Sequence, residues 1–218
     1  MNKPILALNS IRGKSGKDTL IEHIETHGKK VHRVAFADTL KRECAQVLAG
    51  SIPELARELE RRMHTSQKDD AISLLSLREL PESHYKAWLK ASKWGESVTA
   101  PRSLRWHLQQ YGTEFIREYL GKQSYWLDQG LGEVHLGLLA PETDVVVVTD
   151  MRLPNEYTAL FSAGARVIRI VRNWFIPEVD TVPFHQSDIA LMAHPFDALV
   201  VNEWGKPEAM YDQIKEFL

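Results

Sequence analysis

Ser10-Ile11-Arg12-Gly13-Lys14-Ser15-Gly16-Lys17-Asp18-Thr19 follows the apolar run 4–8 (PILAL) and precedes Leu20, Ile21 and Ile24 at helical spacing. Strand, Gly/Ser/Lys loop and helix in that order form the context a phosphate-binding loop requires. Amides at a helix N-terminus point toward an anion, and the helix dipole favours negative charge there. Gly16 lets the main chain approach phosphate oxygens, and Lys17 supplies a point charge for β- and γ-phosphates. The fit to G-x-x-x-x-G-K-[ST] is partial. Ile11 stands at the first glycine and Asp18 at the Ser/Thr position, with Gly13 adding flexibility and Thr19 one residue late. Asp18 is an oxygen donor of the kind Mg²⁺ prefers. The alternative for this loop is a Gly/Lys-rich helix cap that binds nothing.

On either side, short apolar runs alternate with helical stretches. Residues 31–36 (VHRVAF), 144–149 (DVVVVT), 165–171 (ARVIRIV) and 198–201 read as further strands. Helices are expected at 39–49, capped by Asp38 or Thr39, at 154–163 with Pro154 in its first turn, near 187–192, and at 207–218. Gly28 and Gly164 stand where helix ends take left-handed residues. Continuous apolar strands separated by helices predict an α/β fold: a five-stranded, mainly parallel sheet with helices on both faces. Residues 51–100 contain no strand run and read as a helical insertion within a single domain, 1–218. Helical signal resumes from Arg102 through LRWHLQQYGTEFIREYL and from 124 to 139.

The 218 residues are 44% hydrophobic and 26% charged, which excludes disorder as the dominant state. A net charge of −2 supplies no field for polymeric nucleic acid. Cys44 is the single cysteine, so no intrachain disulfide forms and no Cys/His cluster has zinc-site spacing. No apolar run reaches the roughly 20 residues of a membrane helix, and the N-terminus lacks a secretory pattern. The expectation is a soluble cytoplasmic protein. Most of the six tryptophans are expected to serve packing.

Further candidates lie at strand ends, where parallel sheets bind ligands. Asp150 ends the 144–149 strand and is placed either to hold the water shell of Mg²⁺ or to cap a helix. Arg152 follows it and could face an anion. Asp38 lies after the second strand, with Lys41 one turn later; each has a plain alternative as helix cap or solvated charge.

Four blocks in this order resemble the deoxynucleoside monophosphate kinases of bacteriophages: Ser15-Gly16-Lys17-Asp18-Thr19, Phe36-Ala37-Asp38-Thr39-Leu40-Lys41, Leu108-Gln109-Gln110-Tyr111-Gly112-Thr113-Glu114, and Thr149-Asp150-Met151-Arg152-Leu153-Pro154-Asn155-Glu156. Pro101-Arg102, Arg117, Trp126, His185-Gln186-Ser187-Asp188 and Val201-Asn202 extend the match over most of the chain. The resemblance implies a P-loop kinase that moves the γ-phosphoryl of ATP onto a deoxynucleoside 5′-monophosphate with Mg²⁺. It places Ser15 to Thr19 on the ATP phosphates, and the main chain of Arg12, Gly13 and Lys14 is expected to wrap the same polyphosphate. Asp38, Lys41, Arg102, Gln109, Gly112, Thr113, Arg117, Asp150, Arg152, Asn155 and Glu156 then build or support the acceptor site. Lys17, Asp38 and Arg152 are the catalytic candidates, and Asp18 and Asp150 the metal candidates. The chain departs from the family at Ile11, at Thr39 (often Pro) and at Asp188 (more usually Glu).

Arg169 and Arg172, with the Pro-bearing segment after them, suggest a lid over about 172–188, with Arg172 reaching the donor. A lid that excludes water suppresses wasteful hydrolysis. Competing readings are a related small-molecule kinase of the dephospho-coenzyme A or phosphomevalonate type, and a nucleotide-binding module without catalysis. Base choice, sugar choice and assembly as a homodimer stay open. A phage-encoded chain would work in the host cytoplasm.

Overall fold

The structure is a computed structural model describing residues 3–184 and 186–218. Five strands, β1 (Ile5–Asn9), β2 (Val31–Val34), β3 (Val145–Val148), β4 (Arg166–Arg172) and β5 (Ala198–Asn202), form one sheet in the order β2-β3-β1-β4-β5. Every pairing is parallel; Leu6 lies opposite Val147 and Leu8 opposite Ile168. β1 and β3 are buried along their whole length, as strands covered on both faces must be. Their period-2 alternation divides the core. Leu6, Leu8, Val145, Val147 and Ile168 pack with Leu20 and Ile24 of α1 (Lys17–Thr26) on one side. Ile5, Ala7, Val146, Val148 and Val167 pack with Val134 of α6 (Tyr125–Leu139) and Leu160 of α7 (Pro154–Ser162) on the other. Each buried Val, Leu or Ile among them contributes about 1.5–3 kcal/mol.

The chain divides into two compact units: Met1–Phe36 with Leu127–Leu218, and Ala37–Trp126. The first holds the sheet. The second is helical, spanning more than the 51–100 read as an insertion. It contains most of α2 (Phe36–Ala49), then α3 (Pro53–Met63), α4 (His84–Ala91), α5 (Leu104–Gln109) and a π-helix, Gln110–Tyr119, that continues α5. Its core is aromatic: Tyr85, Tyr111, Phe115 and Trp126 are buried, with Trp88, Trp94 and Trp106 packed against them.

Several local expectations agree with the structure. Gly28 and Gly164 are left-handed at φ +84° and +82°, and Pro154 opens α7. Others are corrected. β2 stops at Val34 and α2 already starts at Phe36, so Asp38 and Thr39 lie inside its first turn, past the N-cap position. The C-terminal helix is α10 (Ala209–Asp212), followed by a separate 3₁₀ turn. The segment read as a lid carries two four-residue helices, α8 (Pro177–Asp180) and α9 (Gln186–Ile189). His185 of the HQSD match lies outside the described residues.

Candidate functional site

The loop leaves β1 at Asn9, which is 2% exposed. Its Nδ2 donates to the Met151 carbonyl at 2.9 Å and its Oδ1 accepts from Arg169 Nε at 3.1 Å. One buried amide therefore ties the ends of β1, β3 and β4 together. Lys14 and Gly16 then take positive φ values of 55° and 98°. A Cβ on Gly16 would sit 2.2 Å from Asn202 Nδ2, so both conformation and space demand glycine. That Nδ2 donates to the Ser15 carbonyl at 3.1 Å, fastening the loop to the end of β5.

α1 begins after Gly16 without a side-chain cap, leaving its first amides unsatisfied by any side chain. Ser15 Oγ and Asn202 Oδ1 are buried with no hydrogen-bond partner, although their residues are only 3% and 4% exposed. Unsatisfied buried oxygens are costly, and both residues line a cavity of about 620 Å³ together with Lys17 and Thr19. The volume suits a nucleotide-sized ligand.

Lys17 bonds Ser10 Oγ. Burial, and next the Arg152 cation, lower its pKa from 10.5 to about 8, against the opposing pull of Asp18 and Asp150. Two cations held this close destabilise one another until an anion arrives. Arg152 is positioned by Glu156, whose carboxylate accepts its N–H at 2.8 Å and that of Leu153 at 3.0 Å. The Arg152 guanidinium reaches Asp188 at 3.2 Å. Asn155 is exposed in the first turn of α7.

The two metal candidates differ. Asp150 lies at the end of β3 and accepts the Phe36 N–H at 2.9 Å, so it caps α2 rather than the helix that follows it in sequence. Its field on Lys17 keeps its carboxylate within the same site, where a hard cation finds a suitable donor. Asp18 fits poorly: it is paired with Arg33 at 2.7 Å and its side chain is 70% exposed.

Two further arginines of the donor set serve the loop they sit beside. Arg12 donates to the Val182 carbonyl at 2.6 Å and the Val179 carbonyl at 3.2 Å, and lies over the Phe184 ring. Arg172 forms a two-pronged pair with Asp180 at 2.7 and 2.8 Å and donates to the Trp174 carbonyl at 2.6 Å. Both guanidinium groups are thus engaged by the segment after β4, which Arg172 organises. Gly13 and Lys14 stay in the loop, Lys14 4.0 Å from Glu178.

The remaining candidates belong to the helical unit. Asp38 pairs with Lys41 at 2.8 Å, and Lys41 Nζ is 3.3 Å from His64 Nδ1. Arg102 lies over Trp106 at 4.6 Å and Trp94 at 5.3 Å. Gln109 and Thr113 are exposed. Gly112 is a packing glycine: a Cβ would meet Leu40 at 2.9 Å, and its carbonyl accepts from Trp126 Nε1 at 3.0 Å. The Nε atoms of Arg62, Arg102 and Arg117 are buried without partners. Arg62 escaped the sequence reading; the signal available was an Arg61-Arg62 pair of which only Arg61 has a carboxylate three residues earlier, Glu58.

Trp174 and Trp204 also escaped it. Their ring centroids are 5.4 Å apart, the spacing of the Trp94–Trp106 packing pair, but this pair lines the 620 Å³ cavity. Among the described residues no helix is long and apolar enough to cross a membrane. No protein-family model matches the chain, and no curated protein matches it.

Proposed function

We propose that this chain is a kinase that transfers the γ-phosphoryl of ATP to a deoxynucleoside 5′-monophosphate. One observation carries the donor half: an uncapped helix start, two orphaned buried oxygens and a depressed lysine converge on one cavity at the end of a parallel strand. The acceptor half rests on the sequence blocks and on cationic groups that match phosphate. Arg152 stands beside Lys17, and Arg102 and Arg117 carry forked donors suited to phosphate oxygens.

The chemistry asks little covalent work of the protein. The acceptor phosphate oxygen is already a nucleophile, so no strong base is required. Lys17 and the amides following Ser15 neutralise charge on the transferring group and its leaving diphosphate. Arg152 orients the attacking anion against them. Mg²⁺ would be held by Asp150 and adds positive charge at the phosphates.

The decisive assay incubates the protein with ATP, Mg²⁺ and each of the four deoxynucleoside monophosphates in turn. Diphosphate products are the expected result. ADP release with dephospho-coenzyme A or phosphomevalonate instead would move the protein to another kinase class, and ATP binding without any acceptor-dependent release would make it a binding module.

A further inference from the structure

The wall of the 620 Å³ cavity away from the loop is built from two short connections. Trp174 follows β4, and its carbonyl is held by Arg172, itself fixed by Asp180. Trp204 sits in a tight turn after β5, closed by an antiparallel bridge between Glu203 and Lys206 and by Gly205 at φ +74°. The Trp204 N–H donates to Asn173 Oδ1 at 2.9 Å, joining the two connections. The rings meet at 68°. Trp204 is nevertheless 72% exposed.

A rigidly mounted indole left in water forgoes the largest apolar burial any side chain offers. Core packing does not explain it, and the cavity it faces already holds an anion site at its other end. Set edge to face, the pair therefore offers one indole face for a flat base, buttressed by the other ring, at one end of the cavity and phosphate donors at the other, which is the chemical outline of a nucleotide.

The polar groups at this end are few. Asn202 is turned against the loop, its Nδ2 committed to Ser15. The Glu203 carboxylate lies 3.6 Å from Lys206 in an exposed pair. The two buried partnerless oxygens of the lining, Ser15 Oγ and Asn202 Oδ1, lie against the loop at the phosphate end and not beside the rings, and edge readout is what separates adenine from guanine. We propose that Trp174 and Trp204 form a stacking platform for the base of the donor nucleotide. It selects a purine by ring area and leaves adenine and guanine nearly equivalent. This rests on the donor reading above, and extends it from ATP to purine nucleoside triphosphates as a class.

The test is calorimetric titration of the full chain with ATP, GTP, CTP and inorganic tripolyphosphate, for wild type, Trp204→Ala and Trp204→Phe. ATP and GTP should bind within about tenfold of each other and CTP more weakly. Loss of one base–indole stack should weaken ATP and GTP by about 5- to 150-fold in Trp204→Ala. Tripolyphosphate should bind that variant as it binds wild type, and Trp204→Phe should recover most of the loss. Unchanged ATP affinity in Trp204→Ala overturns the proposal. So does a parallel loss of tripolyphosphate that Trp204→Phe does not rescue, or a hundredfold preference for ATP over GTP. Trp204-dependent binding with no transfer to any monophosphate supports the platform and removes the kinase reading. Transfer with donor affinity indifferent to Trp204 removes the platform and leaves the kinase.

Discussion

The sheet unit and the helical unit treat polar residues in opposite ways. In the sheet unit, buried polar groups are left incomplete where the chain meets a cavity: Ser15 Oγ and Asn202 Oδ1 lack partners, and Lys17 is held beside Arg152. In the helical unit, buried polar groups mostly complete a core. Tyr85 Oη bonds His107 Nδ1 at 3.1 Å while His107 Nε2 faces the Leu75 carbonyl at 2.9 Å, and Trp94 Nε1 donates to Gln110 at 2.8 Å. The lesson is that a polar residue at a strand end and one on an aromatic helix face signal different things. The first is either a tie between strand ends, as Asn9 is, or left partnerless at the cavity, as Asn202 Oδ1 is; the second is usually a structural tie, with the partnerless Nε atoms of Arg62, Arg102 and Arg117 as the exceptions.

Substitutions can break this contrast. The largest effect is expected from Lys17→Ala, which should lower phosphoryl transfer by at least about 10²–10³-fold, the scale for removing one donor to developing charge. Its melting temperature should stay at or above wild type, because a buried cation beside Arg152 has been removed. Near-native turnover in this variant would remove the donor assignment. Arg152→Ala should raise the KM for monophosphate about tenfold or more while ATP affinity changes little, as loss of a charged hydrogen bond predicts. Equal losses for both substrates would point instead to a general disturbance of the site.

The pH dependence sharpens the same contrast. Free Lys17 titrates near 8, so ATP affinity should fall as pH rises through that value, read by calorimetry in a buffer series. Stability should move the other way: between about 8 and 10.5 the unfolded chain binds the extra proton, so rising pH favours the folded form.

Tyr85→Phe should leave donor binding untouched but cost about 1–3 kcal/mol by stranding buried His107 Nδ1. In a chain of this length that is a drop of roughly 2–12 °C in melting temperature. A further effect is acidic. Burial depresses His107 from 6.5 to about 4, while its contact with the Leu75 carbonyl pulls the other way. Unfolded His107 therefore takes a proton first, and stability contributed by the neutral ring is lost as pH falls from 6.5 toward 4. Asp180 follows later: its hydrogen bond from Arg172, and then the Ile176 N–H, lower it from 3.8 to about 2, so that loop loosens only as pH drops through that range. Indole fluorescence and helical circular dichroism followed together should separate the two events.

Local pattern carried most of the sheet. β1 up to Leu8 and all of β3 are unbroken apolar runs, and Gly28, Gly164 and Pro154 punctuate helices where their backbone preferences require. The loop around Gly16 and Lys17 was legible because strand, glycine, lysine and helix are adjacent in sequence. Helix limits in the aromatic region were less so: the 3.6-residue pattern through 104–119 does not distinguish an α-helix from the π-helix that replaces it after Gln109.

Adjacent residues thus specified the alternating strands and the Gly/Lys loop between strand and helix, since hydrophobic period and backbone preference act over a few bonds. Folding alone set the strand order, turned Asp150 onto the Phe36 amide, drew Arg172 into its pair with Asp180 and brought Trp174 within 5.4 Å of Trp204. Each of those contacts joins positions between 8 and 114 residues apart or depends on which strands lie side by side. Such proximities come from burying both faces of the sheet at once, and no short window of sequence encodes them.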